Sequence, residues 1–213
     1  MITLEDATIL FKNKRILSNL NIQINRGDFI FVTGPNGSGK TTFLMLLKGL
    51  YLLSSGYLKI DKSIISNEQI ALITKNPKSF FLRLTAKENI NFFYDLISPK
   101  LRLEKSVVQN LIRVLGLEEV MDQEFMSLSS GQSQKMSILR GLLRNPKLLL
   151  LDEIFSSLDT SSKNDLRLFL FEYIKSKPDV TVLWITHNID EFPIKKYKNL
   201  DFKNGLIQEG KNC

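Results

Sequence analysis

Cysteine is almost absent: the 213-residue chain has one, Cys213. That excludes a disulfide framework and a cysteine-built metal cluster, and it suits a reducing cytosol. No apolar run reaches the 18 or so residues that crossing a bilayer requires. The first residues, Met1-Ile2-Thr3-Leu4-Glu5-Asp6, lack the basic segment and apolar stretch of a secretory signal. Internal repeats and low-complexity stretches are missing as well. Acidic residues are outnumbered, 22 against 29 Lys and Arg, for a net charge of +7. Yet there is no long basic run: Lys12, Lys14 and Arg15 make one small group, and Lys195, Lys196 and Lys198 another. Such a bias suits nucleic acid, an anionic cytoplasmic leaflet or simply a solvated surface, and charge alone does not choose among them.

What is present is a globular composition, 43% apolar and 24% charged, in a length that fits one domain with room for an inserted subdomain. The stretch that organises it is Gly34-Pro35-Asn36-Gly37-Ser38-Gly39-Lys40-Thr41-Thr42. It follows the apolar run Phe29–Val32 and leads into Phe43–Leu47, so it reads as strand, tight turn, helix. That is the setting a phosphate loop of pattern G-x-x-x-x-G-K-S/T requires. Glycines there let backbone N–H groups converge on phosphate oxygens, and the following helix directs its positive end at the same anion. Lys40 is placed to reach the β- and γ-phosphates of a nucleotide, and the Thr41 hydroxyl to ligate Mg²⁺.

Elsewhere the pattern alternates. Residues 1–33 read as β structure, with Ile22 and Ile24 alternating with polar neighbours and a turn at Arg26-Gly27-Asp28. Ser54-Ser55-Gly56 punctuates, Tyr57–Ile60 resumes a strand, and Ile70–Ile73 is another, stopped by Asn76-Pro77. From there to Asn145 the period is helical. Thr85 and Glu88 make a capping box that opens a helix over Ala86–Ile97. Val107, Val108, Leu111, Ile112 and Leu115 recur at helix spacing, and a third helix spans Gln132–Leu143. Strands over Leu148–Leu151 and Val180–Ile185, a helix over Lys163–Lys175, a short final helix and a hairpin turn at Asn204-Gly205 complete the reading.

Two further stretches carry chemistry. Leu148-Leu149-Leu150-Leu151-Asp152-Glu153 is continuously apolar and then doubly acidic, as suits a central parallel strand buried on both faces with its carboxyl end at a ligand. Asp152 would hold Mg²⁺, and Glu153 would orient or deprotonate an attacking water. Leu128-Ser129-Ser130-Gly131-Gln132 opens a helix, a geometry that binds anions, although Ser129 or Ser130 would serve equally as a plain cap.

With these three motifs in this order, the chain resembles the nucleotide-binding subunits of ABC transporters over nearly its full length. Leu128–Gln132 is similar to that family's signature L-S-G-G-Q, with Ser130 in place of the first glycine. Ser157-Leu158-Asp159 looks like its D-loop, His187 like its switch histidine and Phe11 like its adenine-stacking aromatic. Thr85–Ile90 is similar to the family's pattern in its helical insert. The resemblance implies an α/β fold: a P-loop NTPase core with a RecA-like mixed sheet, an N-terminal antiparallel β portion and an inserted helical subdomain. Residues 1–213 would form a single ATPase domain, with 1–76 and 146–213 as the nucleotide-binding core and 77–145 as the helical insert. It implies ATP and Mg²⁺ as ligands, with Lys40, Glu153 and His187 catalytic and Thr41 and Asp152 on the metal. Phe11 and Gly34 through Thr42 would bind nucleotide in one subunit. Ser129, Ser130, Gly131, Gln132 and Asp159 would complete the site from a second subunit.

The implied activity is ATP hydrolysis coupled to transport through separate integral membrane permease subunits. The implied location is peripheral, on the cytoplasmic face of the inner membrane. A homodimer, with two complete sites, is a simpler assembly than a heterodimer, and no nucleic-acid partner is expected. The compact insert, with no C-terminal regulatory domain, leans toward a small exporter-type subunit. The sequence departs from the family in one place that bears on mechanism. Where a glutamine is expected after Ile70–Ile73 it has Thr74-Lys75-Asn76, and Lys75 offers no acceptor for Mg²⁺ or water. Ile154 also replaces a usual proline. A soluble ABC ATPase acting on DNA or ribosomes fits poorly, because no coiled coil separates Lys40 from Leu128 and only one ATPase half is present. A non-hydrolysing ATP-binding module is the remaining alternative.

Overall fold

The computed structural model of the chain describes residues 2–12, 14–61, 65–75, 79–156, 158–186, 189, 196–203 and 206–210. In chain order the elements are β1 (Ile2–Phe11), β2 (Lys14–Ile24), β3 (Phe29–Thr33), α1 (Lys40–Leu47), β4 (Ser55–Ile60), β5 (Ile70–Thr74), α2 (Ala86–Asp95), α3 (Lys105–Val114), α4 (Ser130–Leu142), β6 (Leu148–Asp152), α5 (Thr160–Lys175), β7 (Thr181–Ile185), β8 (Lys198–Lys203) and β9 (Leu206–Gly210). They fall into two compact units. One comprises Met1–Leu72, Lys147–Glu153 and Asp179–Cys213; the other comprises Ile73–Pro146 and Ile154–Pro178.

The first unit holds an antiparallel sheet in the order β2-β1-β4. Its buried positions on β1 are Ile2, Leu4, Ala7 and Ile9, a spacing that breaks strict alternation after Leu4. The break is a bulge: the pairing register shifts between Leu4 and Ala7, and Asp6 takes a φ of 46°. The Asp6 N–H, turned out of the ladder, donates to Asn21 Oδ1 at 3.0 Å. β4 passes so close to this bulge that a Cβ on Gly56 would lie 2.3 Å from the Asp6 carbonyl oxygen. Gly56 is therefore inside β4, not punctuation ahead of it, and the strand begins two residues earlier than Tyr57.

The larger sheet has the order β5-β6-β7-β3-β8-β9. β6 with β7, β7 with β3 and β3 with β8 are parallel; β9 returns antiparallel to β8. The continuous apolarity of Leu148–Leu151 is what a middle strand needs, and all four side chains are wholly buried. Phe43, Leu44, Leu46 and Leu47 bury one side of α1 in the same core as Ile30, Val32, Leu148 and Leu183. Lys48, which ends α1, donates from Nζ to the Ile70 carbonyl at 2.6 Å and ties the helix to β5. The turn at Asn204-Gly205 and most of the segment given to a short final helix lie outside the described residues.

The second unit holds α2, α3, α4 and α5. Phe80 stacks on Phe125 with ring centroids 4.2 Å apart, and the Arg140 guanidinium lies 4.3 Å from the Phe80 ring and 4.9 Å from that of Phe93. Burial, then the like charge of Arg144, pushes Arg140 down to about 10, so it stays charged over these rings at neutral pH. Two of the three capped helices begin earlier than hydrophobic period alone suggests. α4 starts at Ser130, because Ser129 Oγ accepts from Gln132 N and Gln132 Oε1 accepts from Ser129 N. α5 starts at Thr160, because Asp159 Oδ1 accepts from Ser162 N. α2 opens with the capping box read from Thr85 and Glu88, and ends at Asp95, before Ile97.

Hydrogen bonds from the Thr85 N–H and hydroxyl hold the Glu88 carboxyl below its usual range. Thr85→Ala is expected to lower unfolding stability by about 1 kcal/mol at neutral pH in a denaturant titration. Because the folded pKa of Glu88 is depressed, its share of the cap is present above the ordinary glutamate pKa and lost as pH falls through the folded value. The gap between wild type and variant is therefore expected to narrow below about pH 4.

Candidate functional site

The loop between β3 and α1 is shaped by three glycines with positive φ: Gly34 (131°), Gly37 (78°) and Gly39 (102°). Two are forced by neighbours. A Cβ on Gly34 would sit 2.3 Å from the Phe202 carbonyl oxygen, and one on Gly39 would sit 2.6 Å from Leu17 Cδ2. Gly37 has open space around it and needs glycine for its backbone angle alone. Pro35, Asn36 and Gly37 form the exposed crest, while Ser38 and Lys40 are buried behind it.

Lys40, the first residue of α1, is 5% exposed and donates from Nζ to the carbonyls of Gly34 (2.7 Å) and Pro35 (2.9 Å). Burial lowers its pKa, and the negative charges of Glu153 and Asp152 offset part of that. The hydroxyl of Ser38 is buried without a hydrogen-bond partner. Thr41 Oγ1 donates to Asp152 at the end of β6, 3.1 Å from Oδ2 and 3.3 Å from Oδ1. Glu153 follows with a φ of 47°, a left-handed backbone that a non-glycine residue adopts at a cost of about 1 kcal/mol or more. Its N–H donates to the Ile185 carbonyl at 3.2 Å, anchoring that conformation to the end of β7. The first unit thus brings together Lys40, Thr41, Asp152 and Glu153. Their side chains can bind an anion, hold a hard cation and accept a proton.

Phe11, at the end of β1, is 58% exposed, with Lys12 Nζ 5.9 Å from its ring centroid. A surface ring of that kind is free to stack. Ser129, Ser130, Gly131, Gln132 and Asp159 belong to the second unit. There a Cβ on Gly131 would lie 3.1 Å from Ser162 Oγ, so the starts of α4 and α5 approach closely. The Ser129 hydroxyl and the Asp159 carboxylate both serve as helix caps. His187, Asn76 and Ser157 lie outside the described residues.

One residue with no motif to announce it is Gln134, 1% exposed on α4. It donates from Nε2 to the Thr74 carbonyl at 3.2 Å, and its Oε1 is buried without a partner. It therefore holds the backbone just before Lys75; flanked by Ser133 and Lys135, it carries no local sign of burial. Gln69, on the near side of β5, is engaged locally, accepting from Ser66 Oγ.

Residues 17–156 match the family described as ABC transporter. Among curated proteins, the chain is 32% identical to the ergothioneine transport ATP-binding protein EgtV of Helicobacter pylori, over 95% of this chain and 97% of that one. It is also 32% identical to the glucose import ATP-binding protein GlcV of Saccharolobus solfataricus, over 99% of this chain and 63% of that one. Among solved structures, it superposes on the dimeric ATP-binding cassette MJ0796 bound to ADP and Pi with a TM-score of 0.80, at 23% identity, covering 99% of this chain and 98% of that one. That likeness is one of fold: an ATP-binding cassette with a mixed sheet and an antiparallel portion, as the motifs imply.

Two expectations follow from Glu153. Replacing it by glutamine removes one of the charges that hold the Lys40 pKa up, so the ammonium is expected to titrate at lower pH, measured by NMR of the labelled side chain. Replacing it by glycine relieves the left-handed backbone and is expected to stabilise the fold by about 1 kcal/mol in a denaturant titration, whereas glutamine, equally strained, is expected not to.

Proposed function

The chain belongs to the ABC transporter family, and from that we propose that it is the subunit which binds and hydrolyses ATP to drive an importer through separate membrane-spanning permease subunits. ATP-binding subunits of this family are ATPases, and this chain is one. The observation that carries the site assignment is the bond between Thr41 and Asp152, which joins the phosphate loop to the buried acidic strand. The lean toward an exporter, drawn from the compact insert, finds no support among the relatives: GlcV is named for import. No described helix is long and apolar enough to cross a membrane, so passage of a substrate would fall to partner subunits. Those partners would hold the chain at the cytoplasmic face of the inner membrane.

The residues fit the ligands. A buried, unpartnered Ser38 hydroxyl, a buried ammonium resting on loop carbonyls and backbone opened by glycine suit a chain of phosphates. Lys40 would turn from the Gly34 and Pro35 carbonyls to the β- and γ-phosphates, and Phe11 would stack on the adenine. Thr41 Oγ1 and the Asp152 carboxylate are hard oxygen donors suited to Mg²⁺, which when bound would offset phosphate charge. Glu153, its left-handed backbone anchored by the N–H bond to Ile185, would orient the attacking water and accept its proton. His187 would contact the γ-phosphate. Ser129, Ser130, Gly131, Gln132 and Asp159 would close the site from a second copy of the chain, a homodimer being the simpler assembly. The single ATPase domain would then switch between a dimer closed on ATP and an open form. The described helices between Gly49 and Pro146 reach at most 13 residues, which argues against the long coiled coils of some nucleic-acid ATPases.

ATP turnover by the purified chain is expected to need Mg²⁺ and to fall at least about 100-fold in Glu153→Gln. Light scattering is expected to show that variant trapped as a dimer in ATP. Turnover that survives the substitution would remove Glu153 from the role assigned to it.

A further inference from the structure

A second cavity lies at the other end of β3 from the phosphate loop. Its volume is about 470 Å³, within the range of small-molecule sites, and it is lined by Arg26, Gly27, Asp28, Phe29, Lys196, Tyr197 and Lys198, all in the first unit. The phosphate loop leaves β3 after Thr33, whereas the cavity takes in Phe29 at its start; four residue steps of strand put the two ends about 13 Å apart. The cavity is therefore distinct from the nucleotide site.

Its charge is uneven. Three cations face one carboxylate, and that carboxylate is already engaged: Asp28 Oδ2 accepts from Lys198 Nζ at 2.7 Å and from the Asn25 N–H at 2.7 Å. Arg26 pairs with Asp179 at 2.6 Å, but both side chains are at least half exposed, so the pair is weak and can reorient. Lys196 is exposed and has no ion-pair partner among the described residues. Beside these cations stands an aromatic wall: the cavity-lining Phe29 and Tyr197 both pack edge-on against Phe31, with ring centroids 5.1 and 5.0 Å from it. The small basic group at Lys195, Lys196 and Lys198 in the sequence thus contributes two of its three lysines to one concave surface with rings in it.

We propose that this cavity is a second ligand site, which takes a phosphate carried on an apolar body: the oxyanion against Lys196 and Arg26, the body against Phe29 and Tyr197. A free aromatic phosphate and the headgroup of an anionic lipid share that chemistry. Two probes separate them, each used with the full chain in saturating AMP-PNP and Mg²⁺ to occupy the phosphate loop. Phenyl phosphate is titrated by calorimetry, and vesicles of phosphatidylglycerol in phosphatidylcholine are tested by flotation. Both are repeated with Lys196→Gln and with Lys59→Gln, which removes the same charge from the exposed surface of β4. Saturable binding in either arm, weakened about fivefold or more by Lys196→Gln and unchanged by Lys59→Gln, supports the site, and the arm that responds names its source. Binding in neither arm, or equal loss in both variants, overturns it. Both substituted lysines are exposed, and thermal melts of the variants check that the fold is kept.

Discussion

The hydroxyl of Thr41 meets the carboxylate of Asp152 because a strand with no polar side chain among its first four residues runs through the middle of a parallel sheet. Leu148–Leu151 are wholly buried, and each such side chain contributes about 1.5–3 kcal/mol by leaving water. That burial leaves β6 no freedom of register, since a one-residue slip would carry Asp152 into the core. The strand therefore delivers its acid to one place. β3, parallel to it and separated from it by β7, delivers the phosphate loop from the same edge of the sheet, where ligands bind in folds of this kind.

The loop must come near enough to the sheet for Lys40 to be buried. Gly34 under the Phe202 carbonyl, and Gly39 beside Leu17 and the Ile16 carbonyl, allow that approach, both with a positive φ that suits glycine. Glu153 shows the reverse arrangement. It takes a backbone angle that glycine would adopt without strain, and it keeps a carboxylate there. Strain retained at a position where chemistry needs a side chain is a recurring property of working sites. Its persistence here rests on the N–H bond to Ile185.

The second unit is organised by helix starts. Ser129 and Asp159 cap α4 and α5, and Gly131 allows the two starts to approach. The residues that the family pattern assigns to the nucleotide of a partner subunit are thus also the residues that terminate these helices. A capping side chain held by the N–H of a rigid helix has few rotamers left, so these groups are oriented before any partner arrives. Gln134 extends the same unit to the backbone at Thr74, next to the lysine that stands where the family has glutamine.

Much of this was legible in order of residues alone. The phosphate loop, the acidic end of β6, the capping box at Thr85 and a helix capped by Ser129 or Ser130 are local: each depends on spacing within a few residues, which side-chain chemistry and the helix and strand periods determine without reference to anything distant. The sequence by itself therefore determined the chemistry on offer, a lysine, a hydroxyl, two acids and a glycine-lined loop, and the family to which it belongs. Tertiary structure alone decided what lies against what. The Phe202 carbonyl over Gly34, the left-handed turn at Glu153, the bulge that demands Gly56 and the cavity shared by Arg26 and Lys196 all join segments far apart in the chain. No local pattern encodes such approaches, because their geometry is set by how whole strands pack.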